Sequence, residues 1–209
     1  LLLSYAYGRN KRGKAEKTAT TIGLDEVTVI IPFRDEKENL NHLLNQIKDI
    51  QTPPAKFLFV DDHSSDGGAT LVKNKQNRLI DLLTMTNKMG KKEAVFAGVN
   101  HSQTPYVLCW DADITFSESY FKELTTLSRR SLTILPVSFK TNRYFEWFFE
   151  IDVALANYIN HANAGIHRPI ICSGANLLIE KVSYFEVISL ESHKHIASGD
   201  DAFLLRNMQ

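Results

Sequence analysis

Two aspartates separated by one residue, Asp111 and Asp113, follow directly on the apolar run YVLCW (106–110). In extended backbone, side chains two apart project to the same side, so the pair predicts two carboxylates aimed at one point. Hard oxygen donors of this kind suit Mg2+ or Mn2+, which bind weakly until a phosphate completes the shell. The chemistry on offer is Lewis-acid neutralisation of a departing diphosphate. An isolated D-x-D also serves as a plain turn or helix cap, so its placement has to decide.

Other groups fall at comparable places. Asp61 and Asp62 close the short apolar run FLFV (57–60). Adjacent carboxylates raise each other's pKa, a cost that suggests a ligand or cation role; the simpler alternative is a cap for the next helix. Pro32-Phe33-Arg34-Asp35-Glu36 ends the run that starts at Val27. Lys91 and Lys92 follow Gly90 at an expected helix start, where they could meet phosphate or form a solvated surface pair. Asp200 and Asp201 come after Ser198-Gly199, and one of them could act as general base toward a hydroxyl, or cap a helix. His193 and His195 just before them read as surface or structural residues.

The elements that must position these groups alternate. VTVIIPF (27–33) is a β-branched strand, and 35–50 has helical spacing at Leu40, Leu43, Leu44, Ile47 and Ile50. FLFV is a second strand, and DDHSSDGG (61–68) opens a helix with Ser64, Ser65 or Asp66 as N-cap. RLIDLLTM (78–85) is a third strand, 91–102 a helix, and YVLCW a fourth strand. This order, with continuous apolar strands, predicts an α/β fold with a mostly parallel sheet and helices on both faces. Ligands of such sheets sit beyond the carboxyl ends of the strands, where three of the four strands end in acidic or basic residues. Further on, SLTILPVSF (131–139) and PIICSGANLLI (169–179) read as strands. Tyr144, Trp147, Phe148, Ile151, Leu155, Tyr158 and Ile159 form one helical stripe, expected to be core, with a membrane-facing or lipid-acceptor face as the alternative. ASGDDAFLLRNMQ (197–209) starts a helix with acidic residues at its N-terminus.

With 209 residues, 44% apolar and 23% charged, the chain suits one sizeable soluble domain over 25–209. Its formal net charge of zero disfavours nucleic acid as a partner. Residues 1–24 form a leader with a basic cluster at Arg9, Lys11, Arg12, Lys14 and Lys17. Leu1-Leu2-Leu3 before it reads as the end of a membrane helix with its cytoplasmic flank. No internal segment reaches the ~18 apolar residues of a membrane span, so the expectation is a soluble domain at the cytoplasmic face, attached through segments outside it. Cys109 and Cys172 lie in apolar runs and read as buried thiols of a reducing compartment, with no zinc-type spacing.

Taken in order, these residues resemble the inverting family 2 glycosyltransferases, from about residue 27 to the end. VTVIIPFRDEKENL resembles the opening strand, usually V-I-I-P-x-x-N-E, with Glu36 matching and Asp35 where Asn is usual. FLFVDDHSSDG is similar to V-D-D-x-S-x-D-G, NKMGKKEAVFAGVN to N-x-G-K-x-x-A-x-N-x-G, and WDADI carries the D-x-D. CSGANLLIEKVSYFEV resembles the acceptor-side segment, with Glu180-Lys181 where a basic pair is usual, and GDDAFLL resembles the late E-D motif. The resemblance implies a GT-A fold and transfer of a sugar from a nucleotide diphosphate, UDP being the commonest carrier. It implies Mn2+ or Mg2+ at Asp113 and Asp111, and donor contacts from Pro32, Arg34, Glu36, Asp61, Asp62, Lys91 and Asp111. Asp201 would be the catalytic base with Asp200 its acidic neighbour, and the acceptor a carbohydrate or lipid-linked sugar. A Q-x-x-R-W motif, common in membrane-bound members, would fall beyond Gln209, so the domain is expected to be C-terminally truncated. Two rivals stand beside this: a haloacid-dehalogenase-like phosphatase, since Asp111-Ala112-Asp113-Ile114-Thr115 fits D-x-D-x-T, and a non-catalytic nucleotide-sugar-binding domain.

Overall fold

The computed structural model describes residues 5–7, 21–138, 147–165 and 174–189. In chain order the strands are β1 Tyr5–Tyr7, β2 Val27–Phe33, β3 Lys56–Asp61, β4 Ile80–Thr84, β5 Tyr106–Trp110, β6 Leu132–Ile134 and β7 Asn176–Glu180. The helices are α1 Lys37–Lys48, α2 Gly68–Lys73, α3 Lys91–His101, α4 Tyr120–Leu124, α5 Trp147–Gly165 and α6 Lys181–Ser189.

The strands form one sheet in the order β1-β6-β7-β5-β2-β3-β4. β5, β2, β3 and β4 are parallel neighbours, as their apolar runs predict. β7 runs antiparallel to both β5 and β6, and β1 antiparallel to β6. Five strands therefore share one direction and two oppose it, so the sheet is mixed at one end. The β-α-β-α-β-α-β pattern could not reveal this, because it stops at β5.

Both faces are covered. On β2, Val27, Val29, Ile31 and Phe33 face one core with Leu40, Leu43, Leu44 and Ile47 of α1, Val72 of α2 and Phe121 of α4. Ile30 faces the other with Ala94 and Val99 of α3 and Tyr184 and Val187 of α6. The alternation of β2 side chains feeds both layers, which is why the whole strand is buried. α3 lies very close to the sheet. A Cβ on Gly98 would stand 2.6 Å from Ile30 Cγ2 and 3.2 Å from Val60 Cγ2.

Several elements differ from the sequence expectation for local reasons. β6 ends at Ile134 instead of running to 139, because Pro136 has no N–H for a ladder. β7 begins at Asn176, and residues 169–173 of its predicted range lie outside the described residues. α1 starts at Lys37 because Asp35 adopts a left-handed φ of 54°. The cap of α2 is Gly67, at φ 86°, rather than Ser64, Ser65 or Asp66. The largest difference is α5. Its expected core stripe faces outward, with Trp147 54%, Phe148 66% and Tyr158 71% exposed. No helix among the described residues is long and apolar enough to cross a membrane.

Candidate active site

The carboxyl ends of β2, β3 and β5 open onto a cleft of about 270 Å³. It is lined by Pro32, Phe33, Arg34, Glu36, Asp62, Lys91, Asp111, Ala112 and Asp113. Seven of these nine were singled out from sequence; Phe33 and Ala112 complete the wall between them. Four carboxylates (Glu36, Asp62, Asp111, Asp113) face two cations (Arg34, Lys91), a formal charge of −2.

Asp111 and Asp113 do meet in the cleft, but not through extended backbone. β5 ends at Trp110, and residues 111–114 form a turn closed by Ile114 N–H donating to Asp111 O at 3.3 Å. The turn rests on a rigid support. Trp110 stacks on Phe116 with centroids 5.0 Å apart and packs edge-on to Tyr120. Its Nε1–H donates to Asn176 Oδ1 at 3.1 Å, and Tyr120 OH donates to the same oxygen at 2.6 Å. Asn176, the first residue of β7, thus fixes the indole immediately before Asp111. Burial raises the Tyr120 phenol pKa far above its ordinary value, so it stays a neutral donor. The neighbouring Cys109 is a buried core thiol, its pKa pushed up to about 12 by burial.

The adjacent pair Asp61 and Asp62 separates its two charges by giving each different partners. Both are only 4% exposed. Asp61 accepts from Ser64 N–H at 2.9 Å and closes the loop after β3; it does not line the cleft. Asp62 does. Its Oδ2 accepts from Gly90 N–H at 2.8 Å, and its Oδ1 lies 3.1 Å from His63 Nδ1. Gly90 has φ 112°, a conformation open to glycine, and it caps α3. The Asp62 contact therefore pins the start of the helix that carries Lys91. Lys91 Nζ reaches Asp111 Oδ1 at 2.5 Å. Lys92, its neighbour, is not part of the lining.

The loop after β2 is tied to the loop after β3. Asp35 Oδ1 accepts from Ser65 N–H at 2.7 Å and Ser65 Oγ at 3.1 Å, while Asp35 N–H donates to Ser64 Oγ. The Ser65 backbone N–H chiefly holds the Asp35 carboxyl below the usual aspartate range. Asp66 joins two helix starts, accepting from Lys37 N–H at 2.7 Å and from Gly68 N–H at 2.8 Å. Glu36 is oriented by Asn39 Nδ2, which donates to its Oε2 at 2.6 Å. The bonds from Asp35 to Ser64 and Ser65 and from Lys37 to Asp66 join residues 29 or 30 apart in the chain, so no local sequence signal announces them.

Among the described residues, no cluster of three or more His, Cys, Asp or Glu side chains forms a complete metal cage. The donor set nevertheless fits a divalent cation of the Mg2+ or Mn2+ type. Two aspartates share the lining of a cleft with surplus negative charge, and such ions normally fill the remaining positions with water and substrate phosphate. Asp200, Asp201, His193 and His195 lie outside the described residues, as does Cys172.

The sheet and its cleft define an α/β domain of the kind that binds its ligand beyond the carboxyl ends of the strands. Residues 28–167 match Glycosyl transferase family 2, and the chain belongs to that family. The 4,4'-diaponeurosporenoate glycosyltransferase of Staphylococcus aureus is 26% identical over 149 residues, covering 68% of this chain and 40% of the relative. The chain thus spans about two fifths of the length of the curated relatives it matches. A mannosyltransferase from Pyrobaculum calidifontis, solved with GDP-Man and Mn2+, has a TM-score of 0.56 at 18% identity, covering 85% of this chain and 50% of that one. Glucosyl-3-phosphoglycerate synthase from Mycobacterium tuberculosis, solved with Mn2+, UDP and glucosyl-3-phosphoglycerate, has a TM-score of 0.51 at 13% identity, covering 83% and 64%. These two likenesses establish the GT-A fold. Family membership sets aside the phosphatase reading of Asp111-Ala112-Asp113-Ile114-Thr115.

Proposed function

We propose that the chain is the donor-binding and catalytic domain of a metal-dependent inverting glycosyltransferase that uses a nucleotide-diphosphate sugar, UDP being the first carrier to test. One observation carries this reading: a cleft at the strand ends, with surplus negative charge, in which Asp111 and Asp113 lie beside Lys91 and Arg34. A diphosphate entering a cleft of net negative charge needs a cation with it. The Mn2+ in the two related solved structures, with GDP-Man in one and UDP in the other, supports that pairing.

In this mechanism Asp113 and Asp111 would hold the cation, which supplies Lewis-acid charge neutralisation of the leaving diphosphate. Arg34 and Lys91 add positive charge for the phosphates, Lys91 by turning away from Asp111. Glu36 and Asp62 are placed to accept hydrogen bonds from nucleoside hydroxyl or base N–H groups. Asp201 takes the proton of an acceptor hydroxyl, with Asp200 beside it. The acceptor oxygen then bonds to the anomeric carbon as its bond to the diphosphate breaks, so one displacement inverts the centre. The acceptor is a carbohydrate or lipid-linked sugar, and the parent protein works at the cytoplasmic face of a membrane.

The test is thermal unfolding with Mn2+ and UDP, GDP, TDP or CDP. A ligand at a hundred times its Kd stabilises the native state by about 2.7 kcal/mol. A metal-dependent shift with one nucleotide, lost in Asp113→Ala, is expected. Asp201→Asn should keep that shift and lose transfer. A full-length parent that binds nucleotide without any transfer would make this a binding domain instead.

A further inference from the structure

The four carboxylates of the cleft are not equally available to a ligand. Glu36 Oε2 accepts from Asn39 Nδ2, and Asp62 is engaged on both oxygens, by Gly90 N–H and by the His63 ring. Among the described residues no cation pairs with Asp113. Asp111 differs from all three, because Lys91 Nζ stands 2.5 Å from its Oδ1. The protein's own ammonium thus occupies one of the two aspartates that would hold a divalent ion.

The two ends of this ion pair have firm supports and a loose link between them. Asp111 follows Trp110, whose indole is held by Asn176. Lys91 opens α3, and the Asp62 contact to Gly90 N–H pins that helix start. The Lys91 side chain is nevertheless 59% exposed, and that of Asp111 32%. A four-carbon stem in reach of water can turn its ammonium to a second anion without moving the helix. Ion pairs this exposed are weak, so a stronger partner displaces them.

Each ligand alone meets an obstacle here. To admit a divalent ion alone, Asp111 must give up Lys91, which leaves the ammonium beside a like charge. To bind a diphosphate alone, Lys91 must leave Asp111 bare beside Asp113. With both ligands present, Asp111 keeps a cation and Lys91 keeps an anion, so every charge retains an opposite partner. One displacement of Lys91 then serves both ligands. Each must therefore tighten the binding of the other, by the same factor in both directions.

We propose that Lys91 is the cleft's internal counter-ion: seated on Asp111, it suppresses binding of a divalent cation alone and couples that cation to the diphosphate of the donor. The inference rests on the donor-site reading above. It adds a preference, for metal and nucleotide together over either one by itself.

The experiment titrates Mn2+ into the 209-residue chain and follows the electron paramagnetic resonance of free Mn2+. Titrations are run without nucleotide and with UDP, or with GDP, TDP or CDP if one of these gives the thermal shift; calorimetry reads nucleotide binding with Mn2+ present. Lys91→Met should bind Mn2+ alone about two- to fivefold more tightly, the worth of releasing an exposed ion pair. The same variant should bind nucleotide with Mn2+ roughly tenfold more weakly or worse, having lost a charged phosphate contact. Opposite signs are the mark of this role, since a variant that merely damaged the cleft would weaken both. Lys88→Met removes a charge of the same sign that pairs with Glu93 outside the cleft lining, and should leave Mn2+ binding unchanged. Three results overturn the inference: Mn2+ binding in Lys91→Met that is no tighter than in wild type, nucleotide binding that is not weakened, or an equal gain of Mn2+ affinity in Lys88→Met. Any of these in a wild type that binds Mn2+ and nucleotide together leaves the donor-site reading standing. A wild type that binds none of the four nucleotides with Mn2+ overturns both.

Discussion

Helices α1 and α5 carry apolar stripes of the same helical period and turn them in opposite directions. α1 buries Leu40, Leu43, Leu44 and Ile47 against β2 and β3, while α5 holds Trp147, Ile151, Leu155 and Tyr158 away from the domain. The difference lies in what each helix lies against. α1 follows β2 directly and covers a sheet face of Val, Ile and Phe. α5 sits at the far edge of the sheet, beside the short strand β1. Period shows that a helix has an apolar side; the apolar area its neighbours offer decides whether that side is core.

Truncating one side chain on each stripe tests this contrast most sharply. Leu43→Ala should cost about 2–5 kcal/mol, since Leu43 is fully buried. Leu155→Ala should move stability by no more than about 0.5 kcal/mol. Chemical denaturation of the two variants measures the difference, and equal losses would mean that α5 is core after all. Next in size comes the tightest inward contact. Gly98→Ala puts a methyl 2.6 Å from Ile30 Cγ2 and should cost about 1–3 kcal/mol, read from the same denaturation midpoint. A neutral result would show that α3 can lift from the sheet without loss.

The smallest effect lies in the loops at the cleft. Asp35 has its pKa lowered in the folded state, so the stability it contributes is complete above the ordinary aspartate value of about 3.9. That contribution disappears as pH falls through the lower folded value. Acid should therefore narrow the gap in melting temperature between wild type and Asp35→Ala, and closing should occur below about pH 4. A gap that stays constant from neutral to acid pH would show that the Ser65 contact does not depend on charge.

The parallel half was readable because each β-α unit there is encoded in a contiguous stretch. VTVIIPF, FLFV and YVLCW each form a strand within one residue of the expected ends. The acidic and basic residues at those ends gather where parallel sheets place ligands. What sequence could not show is long-range. Asp61 turns into its own loop, Asp62 holds Gly90, and Asp66 accepts from the first N–H of two helices; each uses the same residue type for a different task. Asp111 and Asp113 converge through a turn rather than through strand alternation, an outcome set by where β5 stops. The reversal of β7 and the outward face of α5 depend on which edge of the sheet remained open, which no local pattern records.

The pairing of β1 with β6 also fixes an order of events as the chain is made. Tyr5 pairs with Ile134, so β1 emerges from the ribosome long before its partner exists. Through that interval Leu1-Leu2-Leu3 and Tyr5-Ala6-Tyr7 form an apolar segment with no sheet to join. Bringing such distant residues together is slow, and an unpaired strand left waiting is prone to associate with other chains. The cations at Arg9, Lys11, Arg12, Lys14 and Lys17 follow this segment directly, and clustered like charges beside an apolar strand disfavour its association with other copies.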